Sequence, residues 1–331
     1  MNRTTALSPW LPTAPCTPGH CAAHPARSDH GRYSDHGRYS DHGRYSDHGR
    51  YPDHGRYPDL GRLPAEDPAG AVRALARLTA GLGTVLLGLL LAPATGLLPA
   101  ATRLALVRHW SRAVVRAFGI RVRYEGTGVA TGPLLVVANH VSWLDIPLLA
   151  AVLPGRMVAK AEVRRWPVLG TLAAMGGTLF IDRDRLRALP GTVRTMAEVL
   201  AGGGRVIVFP EGSTWCGRAQ GRFRPAAFQA ALDAGCAVQP VRVDYRPTDG
   251  AAYVADDPLG ASLWRVVSTR RLTAVVRPGE PLPALRHPDR RTLAAAAQRA
   301  IASDRANLPP LSVHQRSRSR PASASSARTP A

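Results

Sequence analysis

The chain reads as an α/β protein: a mixed, mostly parallel sheet covered by helices, preceded by N-terminal membrane-associating helices. Three observations predict this. From residue 120 onward, short β-type runs alternate with helical stretches, as in a sheet wrapped by helices. Three of those runs stop in polar turns, near residues 139–140, 182–183 and 210–212. Ahead of them, residues 78–102 contain no charged side chain.

The first element is an arm, 1–66. Within it, 28–62 repeats SDHGRY four times, then PDHGRY, then PDLGR. A six-residue unit of Gly, Asp, His and Ser or Pro offers turns and no apolar face. It cannot bury enough surface to offset chain entropy, so the arm is expected to be disordered. Its histidines could bind metal loosely. Cys16 and Cys21 lie near His20 and His24, but their spacing fits no common metal-ligand pattern. With only Cys216 and Cys236 besides, there is no dense disulfide framework, which suits a reducing compartment.

The next unit, 67–118, is expected to associate with a membrane. The uncharged stretch 78–102 follows Arg73 and Arg77 and precedes Arg103. Its length suits a spanning helix, which needs ~20 residues. Pro93 and Pro99 would break or kink it, leaving a short uninterrupted part, 78–92. Spanning and interfacial anchoring both fit. In the following helix, 103–118, Val107, Trp110, Val114 and Phe118 share one face. Arg108, Arg112 and Arg116 line the other. Such a helix suits an anionic bilayer surface, or packing on its own domain.

Residues 119–306 form the α/β domain. The expected strands are 134–138, 178–181, 205–209, 238–243 and 272–276. Helices are expected at 144–153, 187–201, 225–234 and 289–305. The tail, 307–331, reads as disordered and basic. The 331 residues are 45% hydrophobic, enough for a real core, and carry a net charge of +20. The arm and tail supply little of that charge, so the folded part is basic and an anionic partner or surface is expected. Lysine occurs once, at Lys160, so the arginine excess reflects composition as much as phosphate binding. No helix-turn-helix, zinc-finger or RNA-binding motif is present, and aromatics are 6%, which argues against nucleic acid. No G-x-S-x-G elbow supports a serine hydrolase.

The polar turns carry the chemistry. In LLVVANHVSWLDIP, a strand delivers Asn139 and His140 to its tip, with Asp145 close behind. Ser142 as N-cap and Asp145 three residues later make a capping box. Asp145 would then sit in the first helical turn, able to cap the helix, to orient the imidazole, or both. A histidine held by a carboxylate is an effective general base. In RVIVFPEGSTW, a strand ends in Phe209, Pro210, Glu211 and Gly212, with Ser213 and Thr214 adding hydroxyls. In GGTLFIDRD, a strand ends at Asp182 and Arg183. That guanidinium could clamp a phosphate or carboxylate, or pair with Asp182 or Asp184. A parallel sheet would bring these tips to one edge.

The set resembles the glycerolipid acyltransferase family, which includes the lysophosphatidate acyltransferases. Its N-H-x-x-x-x-D block matches Asn139, His140 and Asp145. Its G-x-x-F-I-D-R type strand matches Gly177, Phe180, Ile181, Asp182 and Arg183. Its F-P-E-G block matches residues 209–212. Its apolar strand with a proline matches Val238, Pro240 and Val241. A lysine often found between the first two blocks has a counterpart in Lys160. The resemblance implies acyl transfer from acyl-CoA or acyl carrier protein to the free hydroxyl of a lysolipid such as 1-acylglycerol 3-phosphate. His140 would take the proton and Asp145 would orient it, with no acyl-enzyme, metal or bound cofactor. The substrate-binding set would comprise Asn139, Lys160, Arg183, Phe209, Pro210, Glu211, Gly212, Ser213 and Pro240. Arg183 and the Glu211–Gly212 turn would position the acceptor head group, and Pro240 would shape the acyl pocket. The expected location is the cell membrane, with the site on its cytoplasmic face. One departure stands out: the family's phosphatidate-forming members commonly continue T-R-S after F-P-E-G, whereas this chain has Ser213, Thr214 and Trp215. Arg218, Arg222 or Arg224 would then substitute, or the acceptor is another lysolipid such as lyso-ornithine lipid. A non-catalytic lipid-binding protein on the same scaffold is the remaining alternative.

Overall fold

The computed structural model describes residues 68–126, 128–166, 169–182, 185–254 and 257–306. The repeat arm, the Cys16/Cys21 cluster, Arg183, Asp184 and the basic tail lie outside the described residues.

The elements run α1 (Pro68–Thr95), α2 (Ala100–Ala117), β1 (Arg121–Tyr124), β2 (Leu134–Ala138), α3 (Asp145–Val152), β3 (Arg156–Lys160), α4 (Leu169–Met175), β4 (Leu179–Ile181), α5 (Leu189–Ala201), β5 (Arg205–Val208), α6 (Phe228–Asp233), β6 (Ala237–Arg246), α7 (Leu259–Ser268), β7 (Thr273–Pro278), β8 (Leu282–Pro283) and α8 (Arg290–Ala306). The sheet order is β1-β7-β6-β2-β5-β3-β4, with β8 on β6. Strands β6, β2, β5, β3 and β4 are mutually parallel. β7 is antiparallel to β6, and β1 is parallel to β7. The sheet is therefore mixed and mostly parallel, as the sequence predicts.

β2 explains the layering. All five of its residues are buried, as in a central strand covered on both faces. Leu134, Val136 and Ala138 join the core beneath α2, α3 and α7. Leu135 and Val137 join the opposite core, with Met196 of α5, Phe228 of α6 and Leu293 of α8. Strand period alone sends alternate residues to the two helical layers.

Several elements had no apolar run to announce them. β1 reads Arg-Val-Arg-Tyr and is exposed throughout, because it is the sheet edge. β3 is bracketed by Arg156 and Lys160, both exposed. The run expected at 238–243 is the middle of a ten-residue strand, β6.

The N-terminal helices differ from expectation in two respects. Pro93 does not end α1, which continues to Thr95. The proline sits in the last turn, where the lost N–H bond disturbs little helix beyond it. The chain reverses before Pro99, and α2 packs back on α1. Second, the aromatic face of α2 is not free for a bilayer. Val114 and Phe118 are buried, and Trp110 is half-buried. Trp110 Nε1 donates to the Thr84 carbonyl on α1 at 2.9 Å. Gly81 and Gly88 make the close approach possible, since a Cβ there would run into the Phe118 and Trp110 rings respectively. The apolar surface that remains open is mostly leucine: Leu75, Leu82, Leu86, Leu87, Leu90 and Leu91 with Val72 on α1, and Leu104 and Leu106 on α2. Gly70–Thr95 is long and apolar enough to cross a membrane by length and composition, and only 11% of its apolar window is buried, unlike the core helix of a soluble domain.

Candidate active site

The parallel strands bring the tips of β2 and β5 together, in register from Leu134–Arg205 to Val137–Val208. β3 and β4 end at the same edge, at Lys160 and Ile181. β4 leads into Arg183, which lies outside the described residues.

Asn139 continues β2 past its last residue by side-chain pairing. Its Nδ2 donates to the Val243 carbonyl at 2.8 Å, and its Oδ1 accepts from the Val243 N–H at 2.8 Å. The amide thus clasps the strand tip to β6 and fixes where the next residue points.

That next residue is His140. Its ring stacks on Phe209, centroids 4.0 Å apart and planes 14° from parallel. Its Nδ1 lies 2.8 Å from Asp145 Oδ2. The same Oδ2 accepts the N–H groups of Val141 at 2.7 Å and Ser142 at 2.9 Å. Asp145 Oδ1 accepts the Tyr245 hydroxyl at 2.6 Å. Burial, followed by the charge of Asp145, pushes the Tyr245 phenol well above its usual range, so it stays protonated and donates. Val141, Ser142 and Tyr245 thus give the carboxylate three donors besides the ring. With an ionised carboxylate, which only accepts, the ring nitrogen facing Asp145 is the donor and Nε2 keeps its lone pair. The imidazole is partly open to solvent, whereas Asp145 is fully buried beneath it.

The capping box is half realised. Asp145 reaches back to the Ser142 N–H as such a box requires. However, α3 begins at Asp145 itself, and Ser142 Oγ accepts from Leu144 N–H at 3.3 Å. Asp145 both closes the turn and holds the histidine.

The β5 turn is fitted to the same place. The Gly212 N–H donates to the Phe209 carbonyl at 3.0 Å, closing a turn with Pro210 and Glu211 at its centre. Gly212 then takes φ +78°, which a side chain would strain. Glu211 Oε2 accepts the His140 N–H at 3.1 Å, and the His140 carbonyl accepts the Trp215 N–H at 2.7 Å. The two loops are thereby stitched on either side of the imidazole. Burial pushes the Glu211 carboxyl up to about 8, only partly offset by the His140 and Gly221 N–H groups. Its Oε1 is buried without a hydrogen-bond partner among the described residues.

Asn139, His140, Glu211, Trp215, Gln220 and Arg242 line the cleft. Of the residues singled out in the sequence, Asn139, His140 and Glu211 therefore meet there, with Asp145 below and Phe209 against the ring. Ser213 lies in the same turn and donates to the Thr214 carbonyl at 3.3 Å. Lys160 is exposed at the tip of β3, and Pro240 is buried in β6 beside Val137, both off the cleft lining. Arg218 Nη2 donates to both carboxylate oxygens of Asp249 at 2.8 Å, and Arg222 and Arg224 are exposed. None of the three lines the cleft. The cation that does is Arg242, buried and held by Asp244 at 2.7 Å and the Ile301 carbonyl at 2.9 Å. Sequence reasoning missed both Tyr245 and Arg242. The alternation Val241, Val243, Tyr245 carried a signal for the first, since it continues the buried face of β6 toward Asp145.

A histidine with an oriented Nδ1–H and an open Nε2 can take a proton from an alcohol at the cleft. Comparisons with known proteins identify the family. The family model described as Acyltransferase matches residues 120–244. The chain is 40% identical over 241 residues to the lyso-ornithine lipid O-acyltransferase of Pseudomonas aeruginosa, covering 70% of this chain and 92% of that protein. It is 42% identical over 147 residues to the 1-acyl-sn-glycerol-3-phosphate acyltransferase of Neisseria gonorrhoeae, covering 43% and 58% of the two chains. The fold is similar to the crystal structure of the 1-acyl-sn-glycerophosphate (LPA) acyltransferase of Thermotoga maritima. There the TM-score is 0.54 at 19% identity, with 71% and 95% of the chains covered. With nearly the whole length of a curated acyltransferase matched, this chain belongs to the glycerolipid acyltransferase family and is a lysolipid O-acyltransferase.

Proposed function

We propose that the protein is membrane-associated and transfers an acyl chain from an acyl thioester, acyl-CoA or acyl carrier protein, to the free hydroxyl of lyso-ornithine lipid. The observation that carries the mechanism is the oriented His140. Nε2 takes the hydroxyl proton as the oxygen attacks the thioester carbonyl. The charge formed on the imidazole is balanced by Asp145, 2.8 Å away. Collapse of the tetrahedral intermediate expels the thiolate, which recovers the proton from His140. The reaction needs no bound metal or cofactor. Arg183 and the Glu211–Gly212 turn hold the acceptor head group, with Phe209, Pro210 and Ser213 framing the site; Lys160 and Pro240, off the cleft lining, are left without a substrate contact. The leucine-rich surface of α1 and α2 holds the site at the bilayer, on its cytoplasmic face.

Two points favour lyso-ornithine lipid over 1-acylglycerol 3-phosphate. Thr214 stands where phosphatidate-forming members carry arginine, and Arg218 is engaged with Asp249. The lyso-ornithine lipid acyltransferase match also runs over 92% of that relative. The second reading, 1-acylglycerol 3-phosphate, is supported by the 42% identity to the Neisseria enzyme. Purified protein, incubated with acyl-CoA or acyl carrier protein and a panel of lysolipids, is assayed by lipid extraction and mass spectrometry. Ornithine lipid is the expected main product, and His140→Ala is expected to abolish it while remaining folded. Full activity in His140→Ala refutes the assigned base, and phosphatidate as the main product refutes the acceptor.

A further inference from the structure

A second cavity, sharing no lining residue with the cleft beside His140, opens between α2 and the edge strand β1. Its volume is about 830 Å3. Arg108, Arg112 and Arg116 reach it from one face of α2, four residues apart, and Arg121 and Arg205 reach it from the sheet. None of its described lining residues is Asp or Glu. Two of the five guanidinium groups are anchored by backbone carbonyls: Arg112 Nε donates to Ala151 at 3.1 Å and Arg205 Nε to Gly132 at 3.4 Å. Five like charges around one cavity repel one another, and an anion seated among them relieves that repulsion. Arginine presents paired N–H groups suited to a phosphate. The rest of the wall is mostly apolar, including Ile120, Val122, Val129 and Leu153, with the side chains of Tyr124 and Thr131 among them.

The place of the cavity along α2 identifies the occupant. Leu104 and Leu106 are exposed at 47% and 42%, and they continue the open leucine surface of α1. Leu104 shares the face of the row: Arg108 follows it by four residues, ~6 Å further along the helix, and Arg116 lies ~18 Å further, at 1.5 Å per residue. The guanidinium row thus begins where the apolar surface ends. A lipid with its tails against those leucines brings its head group to the row. We propose that this cavity binds the phosphate head group of an anionic phospholipid of the bilayer. The inference rests on the membrane association proposed above.

The test uses the full chain and flotation with phosphatidylcholine vesicles containing 0 or 30% phosphatidylglycerol. The wild type is expected to bind the anionic vesicles on the order of tenfold more tightly, and a triple variant Arg108→Gln, Arg116→Gln, Arg121→Gln to lose that gain. The triple variant keeps its binding to neutral vesicles and its turnover of micellar lysolipid, which also shows that it is folded. A control variant, Arg270→Gln, Arg290→Gln, Arg291→Gln, removes equal charge elsewhere and keeps the gain. Inorganic phosphate at matched ionic strength leaves the gain intact. The proposal is overturned if the triple variant retains the gain, if the control loses it equally, or if inorganic phosphate abolishes it. Equal wild-type binding to both vesicles overturns the proposal and leaves membrane association standing. Binding to neither overturns both.

Discussion

The hydroxyl of Tyr245 donates to Asp145 Oδ1 at 2.6 Å, across 100 residues of chain, and so supports from below the carboxylate that orients His140 from above. Tyr245→Phe removes this donor while keeping the ring. The vacated oxygen stays buried, and leaving a buried acceptor unsatisfied costs ~1–3 kcal/mol. A fall of that size in unfolding free energy is expected from urea titration. Because the phenol touches no substrate, kcat should fall while KM holds. A raised KM with unchanged kcat would instead make Tyr245 part of the acceptor site.

Asn139 gives a different signature. Its amide pairs with both backbone groups of Val243, so Asn139→Ala leaves a buried N–H and a buried carbonyl without their partner. Two lost bonds of this kind amount to roughly 2–5 kcal/mol. Asn139→Asp should be worse, because a carboxylate oxygen would face the Val243 carbonyl. Thermal denaturation of the two variants tests that order. Equal stabilities would mean that the clasp contributes little.

The hairpin of α1 and α2 is tested at Gly88. A side chain there meets the Trp110 indole, whose Nε1–H is committed to Thr84. Gly88→Leu should force the helices apart and cost about 1–3 kcal/mol by overpacking. Trp110 should become more exposed, read as a red shift and stronger quenching of tryptophan fluorescence. Gly83, with open space where a Cβ would stand, is the control: Gly83→Ala should be silent or stabilising.

These residues mark what was legible in the sequence. The tips of β2 and β5 were readable because each is local: an apolar run, then His140 or Glu211, with Asp145 five residues on and Gly212 one on. The Asn139–Val243 clasp and the Tyr245–Asp145 bond were not, since each joins segments about a hundred residues apart and depends on β6 lying beside β2. β1 and β3 were hidden by exposed arginine and lysine at strand positions. The aromatic face of α2 is legible as apolar, and of the two partners the sequence allows, a bilayer or its own domain, the structure shows the second. Periodicity shows that a face is buried and is silent about what buries it.

Glu211 supplies a prediction in pH. Burial holds its carboxyl near 8 in the folded chain, against 4.5 for an exposed glutamate. Below pH 4.5 the group is neutral in both states and its burial costs least. As pH rises from 4.5 to 8 the unfolded chain ionises first, which favours unfolding, so stability is lost across that window. Above 8 both states are ionised and the loss levels off. The total is on the order of a few kcal/mol. Glu211→Gln cannot ionise, so its thermal midpoint should decline less than the wild type's between pH 5 and 8, and the two curves should run parallel above pH 9. Parallel wild-type and variant curves across the whole range would show that Glu211 is ionised when folded, with its charge balanced by Arg242 and the loop N–H groups.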